Sequence, residues 1–146
     1  MSVKSTWLGL GIAAGALLVF NLEVFSHDST VPKDILTKKN PVASSAAVLE
    51  KAKSNFEENC LMCHGENGKG DGPMAGMLKE RPADISDPEM MQPMTDGEFY
   101  WIITKGVKPM PPFETKLSDE DRWGLVHLLR SMSKTKPNTT PRKDHK

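Results

Sequence analysis

Apolar residues recur at helical spacing in three stretches of the chain. In the first, apolar residues from Val48 to Phe56 follow one another in steps of four, with polar and charged residues between them. This spacing places the apolar side chains on one face of a helix. Ser44 or Ser45 can cap the amino end. The pattern therefore predicts a helix from about Ser45 to Glu58.

The second stretch predicts a helix over residues 96–105. Phe99 and Ile103 lie one helical turn apart on the same face. Asp96 is placed to cap the amino end, and Gly106 follows the last periodic residue. Glycine is common just after a helix because it adopts positive φ without steric cost.

The third stretch starts at Ser118, a residue suited to the N-cap, and fades after Met132. Three acidic residues follow Ser118 and complement the positive end of the helix dipole, and Asp121 can close a capping box. Trp123 and Val126 contribute to the buried stripe. No segment alternates apolar and polar residues over the length of a strand, so the fold class predicted is all-α, with three to five helices.

These patterns divide the chain into four parts. Residues 1–26 hold an apolar segment, residues 27–43 lack periodicity and are predicted to be a linker, and residues 44–133 form the predicted domain. Residues 134–146 are rich in lysine, threonine and proline and have no apolar face. We expect this last part to be a disordered basic tail.

The apolar run that begins at Trp7 supports two interpretations. As a signal peptide it has one preceding basic residue, Lys4, a core of suitable length and a tolerable cleavage position before His27. As a membrane anchor it continues to Phe25, and about 19 residues are just enough to span a bilayer. The weak cleavage signal favours an uncleaved membrane anchor. Either interpretation exports the domain to the periplasmic side of the cytoplasmic membrane.

Charge excludes one class of partner. The chain has 146 residues, of which 38% are hydrophobic and 26% charged, and its formal net charge is zero. Between Val42 and Ser133 it carries 15 acidic and 10 basic residues, a net charge of −5. A nucleic-acid partner is not expected, because the domain has no basic face. An acidic body can instead attract basic protein partners.

The candidate chemistry is concentrated in Cys60-Leu61-Met62-Cys63-His64, which contains both cysteines of the chain. A Cys-x-x-Cys-His run is the attachment signal for a c-type haem. Cysteines three positions apart lie on one side of a helical turn, from which both thiols can form thioethers with the vinyl groups on one edge of a porphyrin. The adjacent His64 can then bind iron through a ring nitrogen.

Other uses of the motif are weaker. A structural zinc site needs four Cys/His ligands, and the sequence has no second pair. A thioredoxin-like pair follows a strand, whereas this pair follows a predicted helix. A disulfide across three residues would be strained. One haem c, covalently held through Cys60 and Cys63 with His64 as an iron ligand, is therefore predicted.

Met110 is the candidate for the second axial iron ligand. It lies between prolines in the loop from Gly106 to Phe113, and prolines make such a loop stiff enough to hold a sulfur against iron. The other methionines are expected to pack. The methionines between residues 90 and 94 also resemble a copper(I) site, since soft thioethers suit that ion, but lining of the haem edge is the preferred interpretation.

From about Val48 to Met132 the chain resembles a class I c-type cytochrome of the bacterial single-haem type. The matching stretches are Phe56-Glu57-Glu58-Asn59-Cys60, Cys63-His64-Gly65, Gly68-Lys69-Gly70-Asp71-Gly72-Pro73, Asp96 to Ile103, Gly106 with Met110-Pro111, and Leu117-Ser118 to Trp123. The resemblance implies a small cytochrome c fold wrapped around one haem, with His64 and Met110 as axial ligands. It also implies that the Pro73 carbonyl accepts the ring N–H of His64 and fixes the orientation of the ring.

The function implied by the resemblance is electron transfer. With protein ligands at both axial positions, iron has no position for a substrate, so we expect an electron carrier and not an enzyme. It would serve redox protein partners, including a membrane respiratory complex. The alternative is a gas-sensing or peroxidase-like haem protein, which requires Met110 to be absent from iron or easily displaced. A copper-handling protein that uses the methionine cluster is a third hypothesis.

Overall fold

The computed structural model describes residues 31–136 and 138–140. In this part of the chain there are six α-helices, one 3₁₀ turn and no strand, which confirms the all-α prediction. The helices are α1 (Lys33–Leu36), α2 (Ala46–Asn59), α3 (Leu61–His64), α4 (Pro88–Met91), α5 (Asp96–Lys105) and α6 (Asp119–Met132), and the 3₁₀ turn is Ala75–Met77.

The two longest helices, α2 and α6, begin at the caps that the sequence predicts. Ser45 Oγ accepts a hydrogen bond from the Val48 N–H at 3.2 Å, and Ser118 Oγ accepts one from the Asp121 N–H at 3.1 Å. The two helices pack against each other, and Gly124 of α6 faces Val48 and Ala52 of α2. Their buried faces form one end of the core.

Helix α5 has the predicted span, but its cap is Thr95 and not Asp96. Thr95 Oγ1 accepts from the Glu98 N–H at 3.0 Å, and the Glu98 carboxylate accepts from the Thr95 N–H. Both neighbouring residues are good N-caps, and only Thr95 has a glutamate three positions later, as a reciprocal capping box requires. The Asp96 carboxylate instead faces Arg130 of α6.

The predicted linker contains a helix that packs on the domain. The carbonyl of Ile35 in α1 approaches Gly97 of α5 so closely that a Cβ at that position would lie 1.7 Å from the oxygen. Further along, Asn40 Nδ2 donates to the Trp123 carbonyl at 3.0 Å, and His127 Nε2 lies 2.7 Å from the Val42 carbonyl. A single helical turn has little local signal, which is why the sequence pattern missed it.

The predicted tail also makes a contact. The Asn138 carbonyl accepts from the Asp96 N–H at 2.7 Å, and the Asn138 side chain donates to the Gln92 carbonyl at 3.0 Å. The chain is therefore tied to the start of α5 at a position where we expected disorder. The predicted membrane segment, residues 1–26, lies outside the described residues. Within residues 31–136 and 138–140, no helix combines the length and apolar character that crossing a bilayer requires.

Candidate functional site

The Cys-x-x-Cys-His motif forms a helical turn of its own. Cys60 ends α2 through its N–H, which donates to the Phe56 carbonyl at 2.8 Å, and its own carbonyl accepts from the His64 N–H at 2.9 Å. This turn is α3, and it gives Cys60 and Cys63 the shared side that the spacing predicts. Both cysteines are free thiols of intermediate exposure.

The motif lines a cavity of about 380 Å³. This volume lies within the roughly 300–1,000 Å³ typical of small-molecule and cofactor sites. The wall is mainly apolar and comes from α2, α3, α4, α5, α6 and the loops between them. Its large hydrophobic residues are Phe56, Leu78, Ile85, Phe99, Ile102, Ile103, Val107, Phe113, Leu125 and Leu129.

His64 lines the same cavity in a state suited to binding a metal. Burial lowers the pKa of His64 below its ordinary value of 6.5, and the nearby Ala83 backbone opposes this effect more weakly. The neutral imidazole is the form that coordinates metal ions. Its Nδ1 is buried, and no hydrogen-bond partner for it occurs among the residues that the structure describes.

The predicted hydrogen bond from His64 to the Pro73 carbonyl is therefore not formed in the structure. Pro73 is exposed and does not line the cavity. Its neighbours nevertheless hold it beside the motif, because the Gly72 N–H donates to the Cys63 carbonyl at 3.2 Å and the Met74 N–H to the Met62 carbonyl at 2.8 Å. Pro73 therefore lies next to the attachment motif, and its bond to the His64 ring stays a prediction for the haem-bound protein.

Burial also affects the first cysteine. Removal from water raises the pKa of the Cys60 thiol from 9.0 to about 11, and the neighbouring Cys63 adds to this shift, while Lys116 opposes it. Cys60 is thus a neutral thiol at physiological pH.

The Met110 loop folds back on the carboxyl end of α5. Gly106 ends that helix with φ of 71°, and a Cβ there would lie 2.6 Å from the Met110 carbonyl oxygen, so only glycine permits this approach. The Met110 N–H donates to the Val107 carbonyl at 2.7 Å, and the Phe113 N–H to the Ile103 carbonyl at 3.1 Å. Met110 itself lines the cavity.

The structure thus brings together Cys60, Cys63, His64 and Met110, and leaves Pro73 outside the cavity. Met90, Met91 and Met94 also line the wall, as the preferred interpretation of the methionine cluster expects.

Sequence reasoning missed the segment from Leu78 to Ile85, which forms another part of the wall. This segment has no periodic pattern, and it is held in place by a contact distant in sequence, the Ile85 N–H donating to the Gly68 carbonyl at 2.7 Å.

These features fit a covalently bound haem. Two thiols share one side of a turn, a neutral imidazole with an unpartnered nitrogen follows them, and an apolar wall with a thioether completes the cavity. Cys60 and Cys63 are suited to thioether bonds, and His64 and Met110 to axial ligation. Fold and site together define a c-type cytochrome of class I.

Comparison with known proteins identifies the family. Residues 47–129, more than half of the chain, match the family model described as cytochrome c oxidase, cbb3-type, subunit III. The chain belongs to this family, which implies haem c as the cofactor and electron transfer as the general function. No curated protein matches the chain.

Two solved structures are similar. One is a chain of the Kuenenia stuttgartiensis reducing HAO-like protein complex Kustc0457/Kustc0458, with 30% sequence identity and a TM-score of 0.58. The match covers 63% of the present chain and 46% of that chain, so the present chain spans about half the length of this relative. The other is the KustC0563 c-type cytochrome, with 26% identity, coverage of 56% and 95%, and a TM-score of 0.49.

Proposed function

We propose that this chain is a single-haem electron carrier. It exchanges one electron with redox protein partners at the periplasmic side of the cytoplasmic membrane, either free or as a subunit of a respiratory complex. The observation that carries the proposal is the convergence of Cys60, Cys63, His64 and Met110 on one apolar cavity. The cbb3-type family and a similar chain within a protein complex support redox partners.

The four residues have distinct roles. Cys60 and Cys63 would hold a haem covalently, and His64 and Met110 would supply the iron ligands, which would leave no position for a substrate. When bound, haem supplies a one-electron couple between ferric and ferrous iron. A thioether is a weak, neutral donor, and the apolar wall stabilises no extra charge, so both features favour the ferrous state and raise the reduction potential.

Partners reach the site through the attachment motif. Cys60 and Cys63 are of intermediate exposure, and Met62 between them is exposed over 48% of its surface. The acidic domain favours partners with basic surfaces, and such redox encounters involve small interfaces.

The test is an intact mass and an optical spectrum of the natively exported protein. We expect the mass of one porphyrin on the chain, a reduced-minus-oxidised spectrum of a c-type haem, and no prompt spectral change when carbon monoxide is added to the reduced protein. A Cys60→Ala, Cys63→Ala double variant is the control and should carry no covalent haem. Absence of porphyrin mass from the native protein would refute the proposal, and a prompt carbon monoxide spectrum would support the gas-sensing alternative.

Location is tested separately. If residues 1–26 form an uncleaved anchor, the protein should stay in the membrane fraction after an alkaline carbonate wash, with the intact amino terminus visible by mass. Release with a mass lacking those residues would show that the segment is a cleaved signal peptide.

A further inference from the structure

Arg130 is a buried arginine in the last turn of α6, and it does not line the proposed haem cavity. Only 4% of its surface is exposed. Its guanidinium forms a salt bridge at 2.8 Å with Asp96, which is exposed over only 2% of its surface. It also lies 4.6 Å over the ring of Phe99, which lines the cavity. An ion pair this deep requires that every other donor be satisfied.

The remaining donors of Arg130 hold the segment between α4 and α5. Nη1 donates to the Met91 carbonyl at 2.8 Å, and Nη2 donates to the Met94 carbonyl at 2.6 Å. Asn138 adds a bond to the Met94 carbonyl at 3.3 Å. One planar side chain thus fixes both ends of a four-residue segment, a task that suits the rigid fork of arginine.

That segment presents a chemical problem at the proposed site. Met91 and Met94 line the same cavity as Met110, and each carries a thioether of the same ligand strength. Met90 also lines the cavity, but Arg130 does not contact its backbone carbonyl. Nothing in the chemistry of the sulfur distinguishes these methionines, so the choice among them must come from where the backbone holds each one. Met91 is almost completely buried, and Met94 is partly buried against the core.

We propose that Arg130 is a positioning residue that pins the Met91–Met94 segment to the cavity wall and so keeps these two thioethers off the iron. Met110 is then the only one of the three sulfurs delivered to the sixth position. The inference rests on the proposed haem function, and it assigns to a buried ion pair the selection of the axial ligand.

The same helix provides a matched control in Arg122. It is exposed over 5% of its surface, forms a salt bridge with Asp119, and donates to the Glu114 and Leu117 carbonyls. It has the same number of carbonyl contacts but does not contact the Met91–Met94 segment. Loss of Arg122 therefore reports the general cost of removing a buried arginine from α6.

The test uses the full-length haem-loaded protein with isotope-labelled methionine methyl groups. An iron-bound methionine gives a strongly shifted methyl resonance in the reduced protein and a sulfur-to-iron charge-transfer band in the oxidised protein. In Met110→Ala we expect both signals to be lost. In Met110→Ala, Arg130→Gln we expect both to return, because a released methionine reaches iron. In Met110→Ala, Arg122→Gln they should stay absent.

Further variants identify the sulfur and protect the test against misfolding. Adding Met94→Leu or Met91→Leu to the Met110→Ala, Arg130→Gln double variant should remove the returned signal in one case, whereas adding Met90→Leu should not. If Arg130→Gln does not fold, Arg130→Lys, which keeps the charge but loses the fork, should show a partial return. In the otherwise native protein, Met94→Leu and Met91→Leu should keep the shifted methyl resonance.

The outcomes separate the two proposals. If Met110→Ala keeps its methionine signals, or if Met94→Leu alone abolishes them, Met110 is not the ligand and the site assignment fails. If Met110→Ala loses the signals and no Arg130 variant restores them, or if Arg122→Gln restores them equally, the haem function stands and the role of Arg130 is refuted.

Discussion

At the scale of single residues, the site depends on removing ionisable groups from water. The same burial that keeps His64 neutral keeps Cys60 protonated, since a low dielectric environment disfavours the charged form of either group. For His64 this is an advantage, because the neutral ring offers a lone pair to iron. For Cys60 it means that the folded haem-free chain has a weak nucleophile, so it resists oxidation until the thioether forms.

The raised pKa of Cys60 gives a prediction for the haem-free chain. Its alkylation rate should rise with a midpoint near pH 11 in the native state and near 9.0 in urea. Because the folded-state value is the higher one, the stabilisation is complete below pH 9.0 and is lost as the pH rises to about 11, a change of about 3 kcal/mol. Rates measured by peptide mass spectrometry test this, and equal midpoints in both states would contradict it.

At the scale of elements, helix ends were predictable where the signal is local. Ser45 and Ser118 cap α2 and α6, and in each helix the cap residue and the apolar face lie within a few positions. Helix α6 adds three acidic residues in its first turn, whereas α2 has none. Residue type alone does not decide whether Thr95 or Asp96 is the N-cap of α5, because both types are good caps. Which residue caps the helix depends on the partner of each side chain. The capping box engages Thr95, and Arg130 engages Asp96.

Replacing Thr95 should therefore weaken α5. Thr95→Ala removes the hydrogen bond to the Glu98 N–H and should cost about 1 kcal/mol of unfolding free energy. Thr37→Ala, at an exposed position, is the control and should change stability by less than about 0.5 kcal/mol. Urea unfolding followed by circular dichroism measures both, and equal effects would show that the cap contributes little.

The packing of α1 on α5 depends on the absence of a side chain at Gly97. Gly97→Ala would place a methyl group against the Ile35 carbonyl, so α1 must move away from α5. Amide hydrogen exchange of residues 33–40 should then speed up, while exchange in α2 stays slow. Gly76→Ala is the control, because a Cβ there meets nothing within 4 Å. Unchanged protection of α1 in Gly97→Ala would show that its contact with α5 is not tight.

At the scale of the whole molecule, the sequence predicted the chemistry better than the architecture around it. The attachment motif, the Met110 loop and the three main helices each carry a local pattern. The cavity wall from residues 78 to 85, the packing of α1 and the pair formed by Asp96 and Arg130 do not. The last pair joins residues 34 positions apart, and an arginine near the end of a helix is usually solvated.

Arg130→Gln is the substitution expected to affect global stability most. It leaves the buried Asp96 carboxylate without a counter-charge and frees two carbonyls, and breaking a buried pair from one side costs roughly 3–5 kcal/mol. Arg130→Gln, Asp96→Asn should recover part of this loss, because no unpaired charge remains. Thermal unfolding of the haem-loaded proteins tests the cycle, and a loss below about 1 kcal/mol for the single variant would contradict it.

The contacts that hold residues 33–40 and Asn138 against α5 and α6 have a practical consequence for the design of chimeric proteins. The family match stops at residue 129, one position before the guanidinium that neutralises Asp96, and it starts after α1. A chimera spliced at those borders would omit Arg130, the Asn40 bond to α6 and the Asn138 bond to Asp96. A chimera that includes the chain from Pro32 through Asn138 keeps these hydrogen bonds and the salt bridge. The segment needed for the packed domain is therefore longer than residues 47–129, which match the family.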